Sequence, residues 1–177
     1  TLIFATGMSN GAMFAYYVAL KLPGTFAGIA AVTSPMTTNM FEEEVSNPLT
    51  VIVIMGTDDP IVPYEGSGWI ASVDATINFW IEANQTHTEP EETVWESTEE
   101  DSTRIVRYVY SGGENGTRVI LYKIEGGGHT WPGGPQYAPP SMIGLVSTHI
   151  NGSAEIWHYL SPIQYHLTVS SPTGGSV

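Results

Sequence analysis

Three side chains in this sequence have the types and the placement for acyl transfer. Ser9 lies in Gly7-Met8-Ser9-Asn10-Gly11, between an apolar run of strand type, Leu2-Ile3-Phe4-Ala5-Thr6, and a helix-forming run from Ala12. That context puts the serine on a sharp strand-to-helix turn, whose small neighbours let a strained backbone pass closely. The turn lifts the hydroxyl above the sheet edge. It also aims the backbone N–H of Asn10, at the helix start, toward any anion forming beside Ser9. Serine is a weak nucleophile at neutral pH, so it needs a base, and the base needs an orienting group. Two further strand exits carry candidates: Asp59 in Gly56-Thr57-Asp58-Asp59-Pro60, and His129 in Gly126-Gly127-Gly128-His129-Thr130-Trp131. Loops at the carboxyl ends of strands are where an open α/β sheet gathers such groups. His129 would take the proton from Ser9, Asp59 would hold the imidazole tautomer, and backbone N–H groups would bind the oxyanion.

Each residue also has a plainer reading. Asp59 can be a turn residue bonding its own backbone, and adjacent Asp58 competes for the orienting role. His129, set among glycines, can be an ordinary loop residue. Trp131 and Tyr64 flank the histidine and aspartate loops, where an aromatic ring either stacks on a sugar or phenolic ring or anchors its loop. His87, His149, His158 and His166 pair with no other histidine or carboxylate at a metal-ligand spacing, so surface or packing roles are expected and no metal or cofactor is implied. Glu42-Glu43-Glu44 reads as a solvated face.

The elements that must hold these residues alternate. Ala12 to Leu22 reads as a helix apolar nearly all round, and therefore largely buried. Phe26 to Val32 and Leu49 to Met55 read as strands buried on both faces. Ser72 caps a helix running to Ala83, with Val73, Ile77, Trp80 and Ile81 at helical spacing. Gln85 to Ser102 is polar and acidic and reads as an exposed loop or a weakly ordered insertion. Arg104 to Tyr110 and Thr117 to Ile124 form a hairpin, and a last helix covers Ser153 to Leu160 before Pro162. This is the pattern of an α/β protein with a mainly parallel sheet flanked by helices. One domain is expected over residues 1–165, with a Ser/Thr/Gly-rich tail or linker at 166–177.

Composition narrows the partners. A 177-residue chain with 42% apolar residues can bury a proper core. Its net charge of -13 repels phosphate backbones and argues against a nucleic-acid role. There is no cysteine, which excludes disulfides, thiol catalysis and Cys-based zinc sites. No stretch has the length of an apolar membrane span. Asn84-Gln85-Thr86, Asn115-Gly116-Thr117 and Asn151-Gly152-Ser153 fit the N-glycosylation pattern and hint at secretion. The chain opens inside what reads as a core strand, so an N-terminal part of the sheet is expected to be missing.

Four stretches together carry a resemblance: Gly7 to Met13, Gly56 to Tyr64, Gly127 to Gly134, and Ala154-Glu155-Ile156-Trp157. The chain resembles the secreted esterases grouped as polyhydroxybutyrate depolymerase-like and feruloyl or acetylxylan esterases, of the α/β-hydrolase fold. The order of serine, aspartate and histidine is that of the α/β-hydrolase triad. The family pattern G-T-x-D-x-x-V-P-Y implies Asp59 rather than Asp58 as the acid, and Ser9 and His129 match the nucleophile and base. The resemblance implies an extracellular serine esterase, needing no cofactor, that acts on a polymeric ester substrate such as feruloyl or acetyl xylan or polyhydroxybutyrate. A catalytically incomplete homologue acting as a binding module and a serine peptidase on the same fold are the competing readings. Family members usually have His where Met55 stands and often carry cysteines. Their earlier strands supply a second oxyanion donor, so this chain alone is expected to be unstable or nearly inactive.

Overall fold

Two runs without a polar side chain at their centre, Ile29–Val32 and Val51–Met55, become the middle of the sheet because nothing in them tolerates water on either face. The computed structural model describes residues 2–161, so the tail at 166–177 and Pro162 lie outside the described residues. Strands β1 (Phe4–Met8), β2 (Gly28–Val32) and β3 (Thr50–Gly56) come first, followed by β4 (Glu91–Trp95), β5 (Arg104–Tyr110) and β6 (Val119–Glu125). Helices α1 (Asn10–Lys21), α2 (Val73–Asn84), α3 (Pro140–Ile143) and α4 (Gly152–Leu160) alternate with them. The strands form one sheet in the order β1-β2-β3-β6-β5-β4. β1, β2, β3 and β6 run parallel, while at one edge β5 pairs antiparallel with β6 and β4 antiparallel with β5. The expected mainly parallel α/β sheet is therefore present, and the expected β5–β6 hairpin with it.

Side-chain alternation along β3 splits the core in two. Val51, Val53 and Met55 pack with Tyr16 of α1 and Ile77 and Trp80 of α2. Ile52 and Ile54 face the other way, toward Tyr122 of β6 and Ile156 and Leu160 of α4. Ser72 caps α2 as expected, its Oγ accepting from Ala75 N–H at 3.1 Å. Register then fixes the functional end of the molecule. Met8, Val32, Ile54 and Tyr122 lie side by side across the parallel strands, so the loops after β1, β3 and β6 leave from the same end.

Four expectations need correction. α1 is buried along one side only: Phe14 and Tyr17 stand 63% and 48% exposed, stacked on each other. β1 is an edge strand of intermediate burial, paired with β2 alone among the described residues. The acidic stretch 85–102 is not a loose insertion. Its Glu91–Trp95 segment is β4, in which exposed glutamates mask a period-2 pattern: Thr93 and Trp95 face Arg107, whose guanidinium lies 5.4 Å from the Trp95 ring centroid and donates to Thr93 Oγ1. Finally, Asn84 is fully buried and bonds both N–H and O of Leu49, and Asn151 caps α4 through Ala154 N–H. Of the three glycosylation patterns, only Asn115 presents an exposed side chain without such a job.

Candidate active site

β1 ends at Met8 and α1 begins at Asn10, so the whole change of direction falls on Ser9, at φ 57° and ψ -120°. A non-glycine residue there costs on the order of 1–3 kcal/mol and persists only where its surroundings hold it. Ser9 N–H donates to Val32 O at 2.9 Å with Thr33 Oγ1 3.2 Å away, and Ser9 O accepts from Ala12 and Met13 N–H. Thr33, which the sequence does not single out, has φ 57° itself and is 1% exposed, so a second strained residue braces the first. Its only signal is a polar residue placed directly after a wholly buried strand. Gly7 makes the turn sterically possible, because a Cβ there would lie 2.4 Å from the Gly11 carbonyl carbon. Among the described residues neither Ser9 Oγ nor Asn10 N–H has a hydrogen-bond partner. The hydroxyl and the first amide of the helix are both left open.

The structure brings Asp59 and His129 together and leaves Asp58 exposed. His129 Nδ1 lies 2.7 Å from Asp59 Oδ2, with the two residues 5% and 6% exposed. Asp59 Oδ1 accepts from Ile61 and Val62 N–H, each at 2.8 Å. The turn reading and the pairing reading of Asp59 thus hold at once, one on each oxygen. A carboxylate only accepts, and with Oδ1 engaged by two amides, Oδ2 accepts the Nδ1 proton and leaves Nε2 its lone pair. No hydrogen bond joins His129 Nε2 to Ser9 Oγ in this resting arrangement. Unaligned contacts of this kind are common in ligand-free sites.

The loop carrying His129 runs against a strap of residues 143–148. His129 N–H donates to Ile143 O at 2.6 Å, Gly128 N–H to Leu145 O at 2.9 Å, and Gly133 N–H to Ser147 O at 2.8 Å. Tyr137 Oη donates to the His129 carbonyl at 2.7 Å from the far side. Approach is so close that a Cβ on Gly128 would sit 2.1 Å from Ile143 O. His149, expected in a surface or packing role, packs. Its Nε2 lies 2.9 Å from Thr103 O and 3.7 Å from Asp101, so this second carboxylate–imidazole pair is not directly bonded.

Tyr64 and Trp131 both contact the scaffold beside the two loops. Tyr64 is 7% exposed, joins the α1–α2 side of the core, and carries Lys123 Nζ 5.6 Å from its ring centroid. Its burial pushes the phenol far above its ordinary value. Trp131 is half-buried and donates Nε1–H to Ser153 Oγ at 3.2 Å, tying the histidine loop to α4. A cleft of about 200 Å³ lined by Thr57, Asp59, Pro63, Tyr64, Glu65 and Lys123 opens beside the acid loop. No group of three or more His, Asp or Glu that could hold a metal occurs among the described residues.

Parallel strands that deliver a serine turn, an acid loop and a histidine loop to one sheet end, with helices on both faces, make this part of an α/β-hydrolase fold. The comparison with known families agrees and is more specific. The phospholipase/carboxylesterase family model matches residues 1–100, more than half of the chain, and the chain belongs to that family. Ser9 and Asp59 lie within the matched stretch. Over 164 residues the chain is 26% identical to the protein named "Putative esterase NocK" of Nocardia uniformis subsp. tsuyamanensis. That match covers 84% of this chain and 48% of the relative, so the chain spans about half the relative's length.

Proposed function

We propose that the chain carries the Ser-His-Asp machinery of a serine carboxylic-ester hydrolase. The observation that supports it best is the buried Asp59–His129 bond, at the same sheet end as the strained Ser9 turn. In this reading His129 Nε2 takes the Ser9 proton as Oγ attacks the ester carbonyl carbon. The oxyanion forms against Asn10 N–H, at the positive end of α1. Collapse breaks the ester bond, and the imidazolium gives its proton to the departing alcohol. Water, deprotonated by the same Nε2, then releases the acid from Ser9. Asp59 stays ionised throughout and stabilises the imidazolium.

The family and the named relative favour esters over peptides. The motifs around Ser9, Asp59, His129 and Ile156 favour polymer-linked esters, feruloyl or acetyl xylan or polyhydroxybutyrate, met outside the cell. One observation favours a second reading, a binding module with an idle triad: Ser9 and His129 share no hydrogen bond at rest. Labelling with a fluorophosphonate decides between them. Adduct formation that disappears in both Ser9→Ala and His129→Ala supports the esterase, and p-nitrophenyl acetate beside a peptide substrate then tests esters against peptides. A folded protein whose labelling is absent, or indifferent to both changes, refutes the triad assignment.

A further inference from the structure

Asp101 is buried in a stretch whose composition promises only a solvated loop, and it is saturated with donors. Its Oδ1 accepts from Thr103 N–H at 2.9 Å and Thr103 Oγ1 at 2.6 Å. Its Oδ2 accepts from Thr148 N–H at 2.5 Å, Thr148 Oγ1 at 3.0 Å and Ser147 Oγ at 3.2 Å. Thr103 sits one residue before β5, so one end of this network belongs to the sheet. The other end holds residues 147–148, the end of the strap that runs beside the His129 loop. Three alternate carbonyls of that strap, from Ile143, Leu145 and Ser147, each take an amide of that loop, and the first is the amide of His129 itself. Bonds to an ionised carboxylate are roughly twice as strong as neutral ones, so the carboxylate is the stiffest joint in this chain of contacts.

We propose that Asp101 is a positioning residue for His129, clamping the 143–148 strap to the sheet so that the imidazole keeps its bond to Asp59. The proposal rests on reading His129 as the catalytic base. Asp101→Asn keeps the shape but turns an amide group toward the Thr148 N–H. The readouts are the low-field proton resonance of His129 Nδ1–H in its bond to Asp59, the fluorophosphonate labelling rate, and KM against kcat for p-nitrophenyl acetate. In a variant folded by circular dichroism, the resonance shifts or broadens. Labelling slows by roughly 10²-fold, the scale of a misplacement near 1 Å, and kcat falls while KM holds. Should Asp101→Asn not fold, Thr148→Val, which removes one hydroxyl donor and keeps the amide, gives the same change on a several-fold scale. A folded variant with the wild-type resonance and rate overturns the proposal. Wild-type protein that never labels defeats the esterase reading instead, and the resonance alone still decides the clamp.

Discussion

The two glycines of Gly7-Met8-Ser9-Asn10-Gly11 should respond in opposite ways to the same substitution. A Cβ on Gly7 would meet the carbonyl carbon, oxygen and Cα of Gly11 at 2.4, 2.5 and 2.7 Å, whereas ordinary contact begins at 3.4 Å. All three atoms are backbone, so no rotamer change relieves them, and β1 and the start of α1 must separate by about 1 Å. Overpacking of this kind costs about 1–3 kcal/mol. In a domain of this size that lowers Tm by roughly 2–12 °C. A Cβ on Gly11 meets nothing within 4 Å, and Gly11 lies inside α1. Gly11→Ala therefore removes glycine's entropic penalty, about 0.5–1 kcal/mol, and raises Tm by roughly 1–4 °C. Gly7→Ala also moves Ser9, which sits between the two contacts, and slows fluorophosphonate labelling by up to about 10²-fold. Thermal unfolding followed by circular dichroism gives the signs directly. Shifts in the same direction for both variants would refute the reasoning.

Asp59→Asn keeps an acceptor for the Ile61 and Val62 amides but offers N–H to His129 Nδ1, which puts the remaining proton on Nε2. Labelling should fall by about 10⁴-fold in a folded protein, and a rate within tenfold of wild type removes Asp59 from its role. Burial raises the Asp101 carboxyl, but the hydrogen bonds from Thr103 and Thr148 outweigh it and hold the group well below its ordinary 3.8. Because the folded value lies below the unfolded one, the stability it contributes is complete above about pH 5 and is lost as pH falls further. Urea midpoints taken between about pH 5 and pH 2 should fall more steeply for wild type than for Asp101→Asn, and parallel curves contradict this. Tyr64→Ala should cost about 3–5 kcal/mol in urea unfolding, as a truncated core aromatic does. Unchanged stability with a raised ester KM would put that ring in the substrate site instead.

The fold was legible where apolar runs and caps left one solution. β2 and β3 allow nothing but burial on both sides, and Ser72 before Val73, Ile77 and Trp80 specifies α2 and its cap. The sequence misleads where composition and period compete. Two glutamates at the start of β4 hide the alternation of Thr93 and Trp95, because exposed positions on an edge strand are free to be acidic. Ala12 to Leu22 looks buried all round because Phe14 and Tyr17 are apolar, yet hydrophobicity alone does not say that a neighbour covers them. Asn84 fits a modification pattern and instead satisfies the backbone of Leu49, a contact 35 residues away that no local motif can announce.

The candidate site divides along the same line. Ser9, Asp59 and His129 were legible as candidates because each sits in the turn or loop that follows a strand and is bordered by residues that permit sharp turns. The choice of a candidate acid needed more, since Asp58 and Asp59 share that placement. What separates them is that Asp59 satisfies two amides of its own turn with one oxygen and reaches His129 with the other. Thr33 and Asp101 stayed hidden because neither belongs to a motif. Thr33 supports Ser9 across 24 residues and Asp101 holds Thr148 across 47, through contacts that exist only once the sheet has closed. A local turn can be read from neighbouring residues, whereas the groups that stiffen it are chosen by three-dimensional proximity. Substitutions at Thr33 and Asp101 therefore test whether the site's geometry depends on the fold behind it, independently of the residues that would meet a substrate.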